Sequence, residues 1–187
     1  YKNSEDIISH IMNKVSDDPF KLKKATRLLR AKNYIYYQWA NEVFLNTLLY
    51  SRWLRDCNFR NFMRHVNWGS ASRTYFADSV NELKDKVEIY MSKFAISKLN
   101  DSEYLELLHT QLKCLDDIFS SQKYILNDEA EISRSDLAIF MVIQGLLSRD
   151  LEESEMIIKT YPNIIRWASD IDEKSSGIHT KSLELKL

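Results

Sequence analysis

Residues 137–147 form an almost wholly apolar run, preceded directly by Ile132-Ser133-Arg134-Ser135-Asp136. Such a run is too hydrophobic for a surface helix, which keeps one face for water, and it is well short of the roughly 20 residues that cross a bilayer. A buried central helix satisfies both constraints. Its start is written locally. Ser133 and Asp136 stand at N-cap and N3 spacing, where each side chain accepts a hydrogen bond from the other's backbone N–H. Ile132 and Leu137 flank them at the positions of a hydrophobic staple.

The remaining segments have to surround that helix, and they are themselves helical. Only 3 Gly and 2 Pro occur in 187 residues, which leaves little material for tight turns. Asp17-Asp18-Pro19 marks a turn, and residues 22–56 carry the longest helical pattern. There Ile35, Trp39, Asn46, Leu49 and Trp53 fall on one stripe and Tyr36, Ala40, Val43, Thr47, Tyr50 and Leu54 on the next, an arc wide enough for packing on several sides. Residues 57–69 read as a short helix closed by a turn at Trp68-Gly69-Ser70. In residues 72–95, Phe76, Val80, Leu83, Val87, Tyr90, Met91 and Phe94 keep three- and four-residue spacing. Asn100 or Asp101 caps the next helix, Glu103 standing at N3 from Asn100, and Leu105, Leu108, Leu112, Leu115 and Phe119 mark its buried face. Asn127-Asp128-Glu129 is a polar loop. Residues 152–160 and 162–174 supply two closing helices, with Pro162 at a first helical position where its missing N–H is harmless. The tail from Ser175 is expected to fray, and the length suits one domain.

Composition narrows the function classes. Lys plus Arg total 26 against 27 for Asp plus Glu, a formal net charge of -1, so no global field favours nucleic acid or an anionic surface, and no nucleic-acid partner is expected. Lys23, Lys24, Arg27, Arg30 and Lys32 form a local basic stretch, read first as a solvated face and second as a site for an anionic partner. Cys57 and Cys114 are read as reduced packing residues. His10, His65, His109 and His179 stand singly, without ligand spacing, and Gly69, Gly145 and Gly177 are too scattered for a phosphate loop, so neither metal nor cofactor is expected. Gly145, inside the central helix, is expected to allow close helix approach. No serine lies in a nucleophile elbow. No segment is long and apolar enough for a membrane span.

The capped apolar run, together with Tyr161-Pro162-Asn163-Ile164-Ile165-Arg166-Trp167, resembles the C-terminal helical domain of the glutathione transferase-like superfamily. In that superfamily a Ser-x-x-Asp box starts the core helix and Tyr-Pro-Asn-(apolar)-x-x-Trp opens a later one. The resemblance implies an all-α bundle of this type over residues 20–176, followed by a flexible tail over residues 177–187. Residues 1–16, which include Asn3-Ser4-Glu5-Asp6-Ile7, resemble the last helix of the preceding thioredoxin-like domain. Ser4 matches the serine that holds the γ-glutamyl carboxylate of glutathione, but Asn3 replaces the usual acid or Gln, which weakens thiol binding. The resemblance further implies that Tyr36 and Trp39 line a groove and that Arg166 and Trp167 serve docking, although packing is the commoner use of such an aromatic stretch.

Within the superfamily, residues 43–54 are similar to the Leu-Leu-x-x-x-Leu-Tyr-x-x-Trp helix of metaxins and failed-axon-connections proteins, and the order of segments agrees from about residue 25 to residue 170. Ser121 and Asn127 stand where that branch has glycines. The implied function is a non-catalytic adaptor, on the cytosolic face of the mitochondrial outer membrane or, as the alternative location, in the cytoplasm, with outer-membrane assembly subunits as protein partners. Two alternatives remain: an assembly module of an aminoacyl-tRNA synthetase or elongation-factor complex, where Pro-Asn-(apolar)-x-Arg-Trp is common, and the C-terminal part of a glutathione transferase whose catalytic residue lies in an upstream half. On all three readings this chain alone is not an enzyme.

Overall fold

The computed structural model describes residues 26–65, 73–126 and 132–175. The thioredoxin-like remnant expected over residues 1–16, the turn at Trp68-Gly69-Ser70, the polar loop at Asn127-Asp128-Glu129 and the tail beyond Ser175 lie outside them. Among the described residues all regular structure is helical, in keeping with the all-α expectation.

The chain from residue 27 to residue 54 runs as one helical rod with two wide turns in it. α1 (Arg27–Trp39) passes into a π-helical turn (Ala40–Phe44), then α2 (Leu45–Leu49), then a second π-helical turn (Tyr50–Leu54). Thr26 caps its start, its hydroxyl accepting from the Leu29 N–H at 3.2 Å. Each π turn inserts an extra residue and rotates the buried stripe, so neither stripe drawn at strict α spacing survives whole. Ala40, Thr47 and Tyr50 are buried as expected, but Ile35 and Val43 are exposed, while Phe44 and Ser51 take up core positions. The rod stops at Arg55, whose backbone is extended (φ -79, ψ 114).

α3 (Asp56–His65) and α4 (Arg73–Met91) follow, then a 3₁₀ turn (Ala95–Lys98). α4 packs on α2 and the second π turn. Of its expected apolar stripe, Met91 is buried and Val87 half-buried, whereas Leu83 and Tyr90 are exposed, because that contact covers only part of the helix. α5 (Asp101–Ser121) opens with a reciprocal box: Glu103 N–H donates to Asn100 Oδ1 at 3.0 Å and Asn100 N–H to Glu103 Oε2 at 2.8 Å. Leu108, Leu112, Leu115 and Phe119 face inward as the spacing predicts, and Leu105 at the row's start is exposed.

α6 (Arg134–Leu146) is the central element. It packs on α1, α2 and the first π turn on one side and on α8 (Pro162–Ser175) on the other, while α5 and α7 (Glu153–Thr160) also pack on α8. Ile139, Ile143 and Leu146 of α6 meet Ile164, Trp167 and Ile171 of α8 in one continuous core. Gly145 permits the close approach of α2: a Cβ there would overlap the Leu48 Cδ2 methyl and stand 3.1 Å from Cδ1.

Candidate functional site

The start of α6 is more than a local cap. Ser133 and Asp136 exchange backbone hydrogen bonds at 2.9 and 3.2 Å, and the Ser133 hydroxyl also donates to Asp136 Oδ2 at 2.5 Å. The other carboxylate oxygen accepts from the Ile125 N–H at 2.9 Å, tying the segment after α5 to the core helix. Burial raises the Asp136 carboxyl above its ordinary value, outweighing the Ile125 and Ser133 hydrogen bonds that favour its charge. The indole N–H of Trp167 makes no bond of normal geometry, yet lies close enough to favour that charge as well. Asn33 on α1 completes the arrangement, its side-chain oxygen accepting from the Ser135 N–H at 3.2 Å.

The residues expected to face a partner divide in two. Trp167 is 1% exposed, stacked on Phe119 at 4.3 Å and edge-on to Phe140 at 6.3 Å, so its ring belongs to the core rather than to a docking surface. The helical period explains it: Ile164, Trp167 and Ile171 share the inward row of α8, and Arg166 is turned outward. The Arg166 guanidinium donates to the Phe119 carbonyl at the end of α5, at the rim of a cavity of about 270 Å³ lined by Gln122, Lys123, Trp167 and Asp170 among others. Tyr36 and Trp39 are half-buried and pack against the core, Trp39 stacked on Phe44 at 4.9 Å. Cys57 is half-buried, its thiol pushed up chiefly by burial, but Cys114, expected to pack inside, is exposed on α5. His109 pairs with the Tyr161 hydroxyl.

A buried polar centre, absent from the sequence reading, joins the end of the rod to α7. Arg55 Nη1 donates to Glu153 Oε1, which also accepts from Ser51 Oγ at 3.0 Å; Asn58 Nδ2 donates to Glu153 Oε2 at 2.8 Å. Asn58 Oδ1 in turn accepts from the Glu152 N–H at 2.9 Å, so one amide serves both the side chain and the first turn of α7. Burial pulls the Arg55 guanidinium downward, but Glu153 and hydrogen bonds to Asp101 and Glu153 carry it above its ordinary value. Tyr104 stacks on Tyr50 at 4.7 Å with the Arg55 guanidinium 5.6 Å from its ring, and burial raises its hydroxyl, with the Glu153 charge adding to the effect. That hydroxyl stands beside Ser51 and Glu153 without a hydrogen bond of normal geometry. The only sequence signal for this centre is a set of polar residues, Ser51, Arg55 and Asn58, spaced by three and four along the chain.

No protein-family model matches the chain, and neither do any curated proteins or solved structures. Among the described residues no helix is long and apolar enough to cross a membrane, and no three His, Cys, Asp or Glu side chains are grouped to hold a metal ion.

Proposed function

We propose that this chain is a non-catalytic adaptor or scaffold domain of the metaxin-like kind, acting in protein sorting and assembly on the cytosolic face of the mitochondrial outer membrane. One observation carries the adaptor reading: the buried Arg55 and Glu153 charges are committed to one another while large apolar side chains are left outside. Both Glu153 oxygens are taken by Arg55, Ser51 and Asn58, an arrangement that fixes α7 to the rod. Leu83, Ile89 and Tyr90 of α4 meanwhile stand exposed, a surface suited to a protein partner. The metaxin branch rests on the resemblance of residues 43–54 and on the capped core helix.

Arg166 favours a second reading, an assembly module of an aminoacyl-tRNA synthetase or elongation-factor complex. It is exposed beside a cavity, where an arginine can meet a docking partner. The third reading, the C-terminal part of a glutathione transferase, places catalysis in an upstream half. Affinity purification of the full-length protein from intact cells, with imaging, separates them. Mitochondrial location with outer-membrane assembly factors is the expected result. Recovery with synthetases would put the second reading first, and glutathione conjugation lost on changing an upstream nucleophile would overturn both scaffold readings.

A further inference from the structure

The outer face of α1 is built unlike the other charged helix faces. Residues 19–41 contain no Asp or Glu, and the first acid is Glu42. Leu28 and Ile35, seven residues apart on one helical line, are 66% and 63% exposed, and Tyr34 beside them is 63% exposed. Arg27, Arg30 and Lys32 are exposed around these three side chains. A solvated helix face ordinarily balances its cations, as α4 does with Lys86 on Glu82 and α7 with Lys159 on Glu155, each at 2.6 Å. Among the described residues no carboxylate reaches Arg27, Arg30 or Lys32. The inner side is meanwhile fixed: Leu29 and Tyr36 pack on the core, Asn33 bonds the start of α6, and Arg134 lies 4.5 Å over the Tyr37 ring. The outer face is thus held rigidly outward.

We infer that this face is a membrane-surface contact that takes anionic phospholipid headgroups. Leu28 and Ile35 reach into the boundary between headgroups and acyl chains, Tyr34 sits at that boundary with its ring in the apolar layer and its hydroxyl in the polar one, and the three cations meet lipid phosphates. A fluid lipid surface suits three separate apolar side chains on a convex helix better than a folded acidic protein does, since the latter needs a shaped pocket for each. The helix lies on the bilayer and does not enter it. This contact is independent of the adaptor reading and holds whichever protein partner the domain has.

The test is co-sedimentation of the full chain with vesicles of phosphatidylcholine alone and of phosphatidylcholine with about one-third phosphatidylserine. Soluble polyglutamate serves as a protein-like acidic probe. Partition into the anionic vesicles should exceed that into neutral ones at least tenfold and should fall as salt rises from about 0.05 to 0.5 M. Joint replacement R27E/R30E/K32E should abolish it, and L28S/I35S should weaken it several-fold, with thermal melting unchanged because all five side chains are exposed. Hydrogen exchange on the unaltered protein should show vesicle-induced protection confined to α1. Equal binding to both vesicle types, protection elsewhere than α1, binding insensitive to both variants, or capture of polyglutamate without vesicle binding would each overturn the inference.

Discussion

Arg55 and Glu153, 98 residues apart in the chain, form an ion pair with both side chains almost wholly buried, at 7% and 2% exposure. The pair closes the end of the helical rod against the first turn of α7. Removing one partner leaves the other charge buried and uncompensated, which costs far more than the pair itself contributes.

Glu153→Met and Arg55→Met should each destabilise the domain by about 3–5 kcal/mol in urea unfolding. The double change R55M/E153M should lose markedly less than the sum, because no lone charge remains. Simple additivity of the two would show that the pair is not coupled.

At the start of α6, Ser133→Ala and Asp136→Ala together should cost about 1–2 kcal/mol through the cap alone, and more through the lost Ile125 bond. No measurable loss would mean that the box does not hold the helix.

Asp136 also sets a pH dependence of unusual sign. Its folded carboxyl is raised above the ordinary 3.8 by burial, so as pH climbs from that value the unfolded chain ionises first and the stability contributed by the protonated folded form is lost. As pH rises from about 4, the destabilisation caused by Asp136→Asn should therefore shrink. A penalty that grows with pH would place the folded carboxyl below its ordinary value.

Trp167→Ala should cost about 3–5 kcal/mol, as for other buried aromatics. Arg166→Ala should cost about 1 kcal/mol for the hydrogen bond to the Phe119 carbonyl. Equal effects in thermal melts would contradict the inward and outward placement of these neighbours.

Gly145→Ala should change stability by less than about 1 kcal/mol, since helix propensity gains about as much as a shift of the flexible Leu48 tip loses. Gly145→Val has no such offset and should cost at least about 2 kcal/mol. If valine were tolerated as well as alanine, α2 and α6 could not be this close.

Local chemistry alone determined where α5 and α6 begin, because Asn100 with Glu103 and Ser133 with Asp136 carry both halves of each cap within four residues. It also determined the inward row of α5 from Leu108 to Phe119, where an uninterrupted α period holds, and the all-helical character of the described residues, which follows from so little Gly and Pro. The α8 helix is different. Tyr161 has no capping oxygen of its own in place, and Asp116 on α5 supplies it, accepting from the Asn163 N–H at 2.9 Å, the Ile164 N–H at 3.1 Å and the Asn163 side-chain amide at 2.9 Å. The π turns that rotate the rod's buried face and the Arg55–Glu153 centre are likewise decided by packing. Their partners lie roughly 50–100 residues apart along the chain, beyond any local period, and only the docking of α5, α7 and α8 brings them within hydrogen-bond reach.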